Sequence, residues 1–114
     1  MKIKEWLEKT YKETNLDIKD MNGDKYTETR PWIKCVDGFG MSVQARSSAM
    51  CKPKRTMSDG DYTHVEIGFP TMKEELIMEY IYNFFAEPDP TDAVYGYVPI
   101  EIVDQVIEKH GGMI

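Results

Sequence analysis

Apolar residues recur at helical spacing near the start of the chain. Ile3, Trp6, Leu7 and Tyr11 fall on one face, and lysine and glutamate occupy positions on the other. A stripe of this kind is typical of a helix that packs one side against a core. The pattern therefore predicts a short amphipathic helix over residues 2–12.

The same spacing returns at the end of the chain. Pro99 suits the first position of a helix, and Gly111-Gly112 suit its C-cap. Between these signals we expect a buried apolar face, formed by Ile100, Val103, Val106 and Ile107. The pattern predicts a last helix from Pro99 to His110.

In the middle of the chain the apolar period falls to two, which is typical of strands. The segments PWIKCV and FGMSVQA flank Asp37-Gly38, a pair that can adopt the positive φ values of a tight turn. Together they predict a hairpin. The segment YTHVEIGF predicts a third strand, and VYGYV predicts a fourth.

The connecting segments carry weaker signals. Thr71 and Glu74 form a capping-box pattern ahead of apolar residues at helical spacing, which predicts a helix over residues 72–85. The stretch IYNFF within that range also fits a strand. The segment from Thr14 to Arg30 is polar, contains an Asn22-Gly23 turn and is predicted to be a loop.

These elements predict an α+β fold, with a three- to four-stranded, mostly antiparallel sheet packed by two or three helices. The chain has 114 residues, which is the length of one domain. We expect residues 1–114 to form it. The N-terminal helix and polar loop would occupy residues 1–30, and the sheet and other helices residues 31–114.

Composition narrows the class of protein. The chain is 41% hydrophobic and 30% charged, as globular domains are. MKIKEWLEKTYKE contains no apolar run like that of a signal peptide, and no stretch approaches a bilayer span, so we expect a cytoplasmic protein without membrane contact. Cys35 and Cys51 would then be thiols. With only two histidines beside them they make a poor zinc set, and no metal or cofactor is predicted.

Charge is unevenly distributed along the chain. Residues 1–71 carry a net charge of +1, whereas residues 72–114 carry 9 acidic and 2 basic residues, a net of −7. This acidic half argues against non-specific nucleic-acid binding, which needs a basic surface. Its excess negative charge is consistent with binding to a basic partner and also with a role in solubility alone. The candidate partner-binding carboxylates are Glu74, Glu75, Glu79, Asp89 and Asp92.

A long connection between the second and third predicted strands concentrates positive charge. The loop Arg46–Asp61 contains Arg46, Lys52, Lys54 and Arg55 in an otherwise acidic protein. Connections between strands are usually shorter, and clustered cations bind phosphate or carboxylate groups. We expect an exposed loop that contacts a ligand or partner. The alternative is that these cations only offset local acidity.

Paired tyrosines give a second candidate site. Tyr95 and Tyr97 lie two residues apart on a predicted strand and so share one face, and Gly96 leaves the other face open to close approach. Such tyrosines can stack on a base or anchor an interface. They can equally pack under a helix with their hydroxyls at its edge.

Catalytic motifs are absent from the sequence. Cys35 or Cys51 with His64 is the one set that resembles a nucleophile and base, but no family signature surrounds either cysteine. His110 falls in the last helical turn, where a cation interacts favourably with the helix dipole. No catalytic residue is therefore predicted.

Three segments carry a resemblance to a known group of proteins. WIKCVDGFGMSVQA, VEIGFP and VYGYVPIEIVDQVIEKHGG resemble small uncharacterised proteins of phages and mobile elements of intestinal bacteria, over about residues 32–114. The resemblance implies a small accessory protein of phage type. Proteins of that type often inhibit bacterial defence systems by binding rather than by catalysis.

Three functions are consistent with this sequence. The leading hypothesis is a non-enzymatic anti-defence protein, most simply an anti-CRISPR inhibitor whose acidic half imitates nucleic acid in the basic groove of a defence nuclease. The first alternative is capture of a nucleotide signal by the basic loop and the tyrosines. The second alternative is a small enzyme that uses Cys51 and His64. The sequence does not determine the oligomeric state.

Overall fold

The computed structural model describes residues 1–82 and 87–114, and its fold is α+β. Two α-helices, α1 (Ile3–Lys9) and α2 (Ile100–Lys109), and a 3-10 helix (Glu75–Tyr80) accompany one five-stranded sheet. Its strand order is β1-β2-β3-β5-β4, and every pair of neighbours is antiparallel. The strands are β1 (Ile33–Lys34), β2 (Gly40–Gln44), β3 (His64–Gly68), β4 (Ile81–Tyr82) and β5 (Val94–Pro99).

The predicted hairpin is confirmed. β1 and β2 pair across the Asp37-Gly38 turn, with Ile33 opposite Met41. Gly38 has a φ of 97°, a value that L side chains rarely adopt, and the Asp37 carboxylate accepts a 2.9 Å hydrogen bond from the Phe39 amide. The turn therefore forms with the local chemistry that the sequence indicates.

The last helix is also confirmed. Val103, Val106 and Ile107 are buried as the apolar spacing predicts. Pro99 differs slightly from expectation, since it is the last residue of β5 and the N-cap of α2 rather than its first helical residue. At the other end the Gly112 amide donates to the Ile107 carbonyl at 2.9 Å, which is the glycine C-cap that the sequence indicates.

The predicted helix over residues 72–85 is wrong. The 3-10 helix ends at Tyr80, and β4 follows and pairs with β5, which gives the sheet five strands instead of three or four. The capping box does not form, because the Thr71 hydroxyl accepts instead from the Gly40 amide at 3.0 Å. The rest of the predicted helix, residues 83–85, lies outside the described residues.

Helix α1 is shorter than the predicted span of residues 2–12, but its buried face is the predicted one. Ile3, Trp6 and Leu7 are buried, and Tyr11 lies beyond the helix end. The α1 side chains join a continuous core with the inner residues of the sheet and α2. Its largest fully buried apolar members include Phe39, Met41, Ile67, Ile77, Tyr62 and Tyr95.

The polar segment after α1 is irregular, as predicted. Residues 14–30, which we call the arm, run out and back, and isolated antiparallel bridges join Glu13 to Thr27 and Lys19 to Lys25. The predicted turn lies at the tip, where Gly23 has a φ of 79°. The arm returns to the core at Arg30, which is buried.

Arg30 closes the base of the arm. Its guanidinium donates to the Leu7 carbonyl (3.0 Å), the Ala45 carbonyl (2.7 Å) and the Thr10 hydroxyl (2.9 Å). Its backbone amide and carbonyl bond the Gln44 side chain at 2.9 Å each. Burial lowers the pKa of Arg30, and neutral oxygens rather than carboxylates accept its guanidinium hydrogen bonds. One side chain thus joins α1, the arm and the end of β2.

The loop Arg46–Asp61 packs against α1 through Gly60. Gly60 has a φ of 67°, and a β-carbon added there would lie 2.8 Å from the Glu8 amide nitrogen and 3.0 Å from the Lys4 carbonyl oxygen. Both neighbours are helix backbone atoms, which cannot move aside without unwinding α1. Only glycine therefore fits this contact.

We expect Gly60→Ala to lower the free energy of unfolding by about 2–4 kcal/mol, since the methyl group adds a backbone clash to the strain of positive φ. Gly23→Ala is the matched control, because Gly23 also has positive φ but no atom within 4 Å of an added β-carbon. The control should cost about 1 kcal/mol. Urea unfolding of both variants measures the difference, and equal losses would contradict the proposed packing.

Candidate functional site

The loop Arg46–Asp61 is anchored to the core at some positions and is exposed, as predicted, at half of its sixteen residues. Ala49 and Cys51 are buried in the core cluster. The buried Tyr62 hydroxyl donates to the Arg55 carbonyl at 2.6 Å and accepts from the Met57 amide at 2.9 Å. Lys52, Lys54 and Arg55 are among the exposed residues of the loop.

Arg55 binds within the protein. Its guanidinium makes two hydrogen bonds to the Asp24 carboxylate, at 2.8 and 2.6 Å, and the Thr56 amide adds a third at 3.0 Å. Together they lower the pKa of Asp24 to about 2, with the Arg55 bonds as the largest cause. Arg55 therefore attaches the loop to the arm and is occupied in the folded chain.

The loop crosses β5 at Gly96. The Met50 carbonyl accepts from the Tyr97 amide at 3.0 Å, and a β-carbon on Gly96 would come within 2.7 Å of the Met50 sulfur. The close approach predicted for Gly96 is thus present. Beside it the Lys52 ammonium lies 5.7 Å from the centre of the Tyr97 ring, within cation–π distance.

Tyr95 and Tyr97 do not share a face, contrary to the sequence prediction. The ladder between β3 and β5 shifts between Tyr95 and Val98, where β5 has two residues opposite a single residue of β3. Tyr97 has a φ of 53° at this bulge. The bulge turns Tyr97 outward, 38% exposed, while Tyr95 is fully buried in the core. Tyr95 therefore belongs to the core rather than to a site.

Glu74 is buried, so it cannot belong to an exposed acidic surface as the sequence predicted. Only 1% of Glu74 is exposed, and its carboxylate bonds the Lys109 ammonium at 2.9 Å, His110 at 2.7 Å and the Leu76 amide at 2.9 Å. Burial by itself raises the pKa of Glu74, but these donors outweigh burial and lower it.

The other four acidic candidates lie at the surface. Glu75, Glu79, Asp89 and Asp92 are all exposed. Glu75 pairs with Lys73 at 3.3 Å, an exposed contact of little energetic value. Asp89 accepts from the amide and hydroxyl of Thr91 and so caps a turn.

His110 forms the centre of a buried polar cluster that the sequence did not reveal. Its ring stacks on Phe39 at 4.0 Å, and its two nitrogens lie 2.7 Å from Asp37 and 2.7 Å from Glu74. A carboxylate at each nitrogen requires both nitrogens to donate, which is the protonated imidazolium. With neither nitrogen free to accept a proton, His110 is suited to cross-linking the fold rather than to general-base catalysis.

The cysteine and histidine candidates are not arranged as a nucleophile and base. The Cys51 thiol is buried and donates to the Arg46 carbonyl at 3.1 Å, and burial raises its pKa. The His64 ring contacts the Thr63 hydroxyl at 2.8 Å. Cys35 is also buried with a raised pKa, again because of burial. Raised pKa values keep both sulfurs as thiols, which are poor nucleophiles.

Comparison of the chain with known protein families, curated proteins and solved structures finds no match. Within residues 1–82 and 87–114, no helix has the length and apolar character needed to cross a membrane. The same residues contain no cluster of three or more potential metal ligands of the His, Cys, Asp or Glu type. The arrangement of exposed charges and clefts is therefore the basis for a functional proposal.

We expect Arg55→Ala to destabilise the protein by about 1–3 kcal/mol, because it leaves the buried Asp24 carboxylate without its main donor. Lys54→Ala is the matched control, since Lys54 is an exposed cation one residue away, and it should change stability by less than about 0.5 kcal/mol. Thermal unfolding of the two variants tests this. A variant Arg55→Ala as stable as the control would show that the arm does not depend on this ion pair.

His110 should make stability depend on pH. Burial lowers its pKa, but the hydrogen bonds to Asp37 and Glu74 outweigh burial and raise the pKa above the ordinary value of 6.5. The stabilisation of the fold by protonated His110 is therefore complete below pH 6.5, and it is lost as pH rises through the folded-state pKa of His110. The lowered pKa values of Asp37 and Glu74 act in the opposite direction, since their stabilisation is lost only in acid.

We expect wild-type stability to fall as pH rises above about 6.5, with a slope of at most about 1.4 kcal/mol per pH unit, the value for one proton. His110→Gln should remove this slope, whereas His64→Gln should retain it. Urea unfolding across the pH range measures all three proteins. Parallel curves for wild type and His110→Gln would rule out the protonated cluster.

Proposed function

We propose that this protein is a non-enzymatic binding protein whose acidic half occupies a basic, nucleic-acid-binding surface of another protein. The context is antagonism of a bacterial defence system in the host cytoplasm, and the partner is a nuclease effector of CRISPR type. This context rests on the resemblance to proteins of phages and mobile elements.

The observation that carries the proposal is the set of exposed carboxylates that lack a cation. Both basic residues of the acidic half, Lys73 and Lys109, are engaged, with Glu75 and with the buried Glu74. Six exposed carboxylates in the described part of residues 72–114 make no ion pair, namely Glu79, Glu87, Asp89, Asp92, Glu101 and Glu108. Their negative charge faces solvent and is complementary to a basic groove.

Two parts of this set have a defined position on the fold. Glu101 and Glu108 lie seven residues apart on α2 and therefore share one helical face. Glu79 is on the 3-10 helix, which packs against α2 and β5, and Asp89 and Asp92 lie in the segment before β5. A partner with a basic surface that binds several carboxylates can contact both α2 and the 3-10 helix of the acidic half.

Binding rather than catalysis is favoured by the buried polar groups. Cys51 and Cys35 are inaccessible thiols with raised pKa values, and His110 is held between two carboxylates. Capture of a nucleotide by the loop cations and tyrosines together has less support. Arg55 is bound to Asp24, and Tyr95 is in the core.

Charge reversal tests the acidic contact. The variant Glu79→Lys, Glu101→Lys, Glu108→Lys changes exposed side chains only, so it should remain folded while repelling a basic groove. We expect wild type to protect a target plasmid from at least one of a panel of CRISPR nucleases expressed in bacteria. The triple variant should lose that protection at equal protein abundance.

The matched control reverses two exposed positive charges that lie outside the acidic half. Lys52→Glu with Lys54→Glu alters two exposed loop cations and should leave protection unchanged. Full protection by the acidic-half variant would exclude the carboxylates as the contact. If wild type protects against no nuclease in the panel, the proposed function fails.

A further inference from the structure

A polar cleft lies between the arm and the start of the loop Arg46–Asp61. Its volume is about 460 Å³, within the range of small-molecule sites. Six of its lining residues come from the arm and four from the loop, so it exists only in the folded chain. Asp20, Lys25 and Tyr26 line it from the arm, and Arg46, Ser47 and Ser48 line it from the loop.

Arg46 is presented to this cleft by its neighbours. Its Nε donates to the Ser48 hydroxyl at 3.1 Å, and one terminal nitrogen donates to the Gln44 side chain at 3.2 Å. The other terminal nitrogen bonds to no atom of the described residues, so it remains available to an anion. The Ser48 hydroxyl accepts from Arg46 and retains its own proton for donation. A positioned guanidinium beside a hydroxyl suits a phosphate oxygen.

Lys25 and Tyr26 line the cleft from the arm side. The Lys25 ammonium lies 3.5 Å from Glu13 in an exposed ion pair, which is weak enough for the ammonium to turn to a ligand. Tyr26 is 43% exposed, so its ring offers a stacking surface to a ligand in the cleft.

Asp20 adds a fixed acceptor. One carboxylate oxygen accepts from the amides of Asn22 (2.9 Å) and Asp24 (3.0 Å), and the other accepts from the Ser47 hydroxyl. These bonds hold the carboxylate in place and spread part of its charge. An anion without donor groups gains no hydrogen bond from the Asp20 carboxylate. A ligand that also carries hydroxyl or amino groups donates hydrogen bonds to it.

We infer that this cleft binds a nucleotide, with phosphate at Arg46 and Lys25, the base against Tyr26, and a ribose hydroxyl or base amino group at Asp20. Each group of the ligand meets a residue of matching chemistry. The site is distinct from the acidic half, because none of its lining residues lies beyond Thr56.

Calorimetric titration tests the inference with adenosine and guanosine monophosphates, their cyclic dinucleotides, and inorganic phosphate. We expect at least one nucleotide to bind about tenfold or more tightly than phosphate, with an affinity that falls as salt rises. Arg46→Gln should weaken that binding about tenfold or more, because it removes a charge-assisted contact. Tyr26→Leu should weaken nucleotide binding and leave phosphate unaffected.

Two further variants keep the test independent of folding defects. Lys25→Gln alters an exposed residue of the cleft and should also weaken binding. The double variant Lys52→Gln, Lys54→Gln removes the loop lysines outside the cleft and should bind as wild type does. The inference is overturned if no nucleotide binds at about 1 mM. It is equally overturned if Arg46→Gln and Lys25→Gln both retain wild-type affinity.

Discussion

The burial of Arg30 is the constraint on which the rest of the structure depends. A buried guanidinium must have its hydrogen bonds satisfied, and Leu7, Thr10 and Ala45 supply oxygens from three directions. The carbonyl at the end of α1 also carries the negative end of the helix dipole, which favours a cation there. The arm leaves the core near Thr10 and returns at Arg30, and the loop begins directly after Ala45. The hydrogen bonds of the Arg30 guanidinium therefore position both walls of the polar cleft.

The loop Arg46–Asp61 shows why clustering in sequence differs from clustering in space. Its four cations lie within ten residues, yet three of them have different neighbours: Arg46 lines the polar cleft, Lys52 lies near the Tyr97 ring, and Arg55 bonds the Asp24 carboxylate of the arm. Three of the four positive charges therefore take part in separate contacts of the folded chain.

The cluster around His110 shapes the acidic half in a similar way. It withdraws Glu74 into the core and draws Lys109 towards it, while Asp37 holds the other side of the ring. The cluster ties the β1–β2 turn, the 3-10 helix and the end of α2 together. Because the cluster pairs Lys109 with the buried Glu74, Lys109 does not offset the exposed carboxylates of α2. Internal packing thus increases the uncompensated negative charge that faces solvent.

The sequence by itself determined the elements that local physics controls. The Asp37-Gly38 hairpin, the apolar stripe of α2 and its glycine cap are all short-range patterns, and each is present in the structure. Tertiary contacts decided the rest. The bulge at Tyr97 depends on pairing with distant residues, which no local period records. At Ile81, where the sequence fits both a helix and a strand, pairing with β5 decides for the strand. Likewise, the partners of charged side chains are chosen by burial and geometry across the fold, so only the folded chain separates a buried ion pair from an exposed charge.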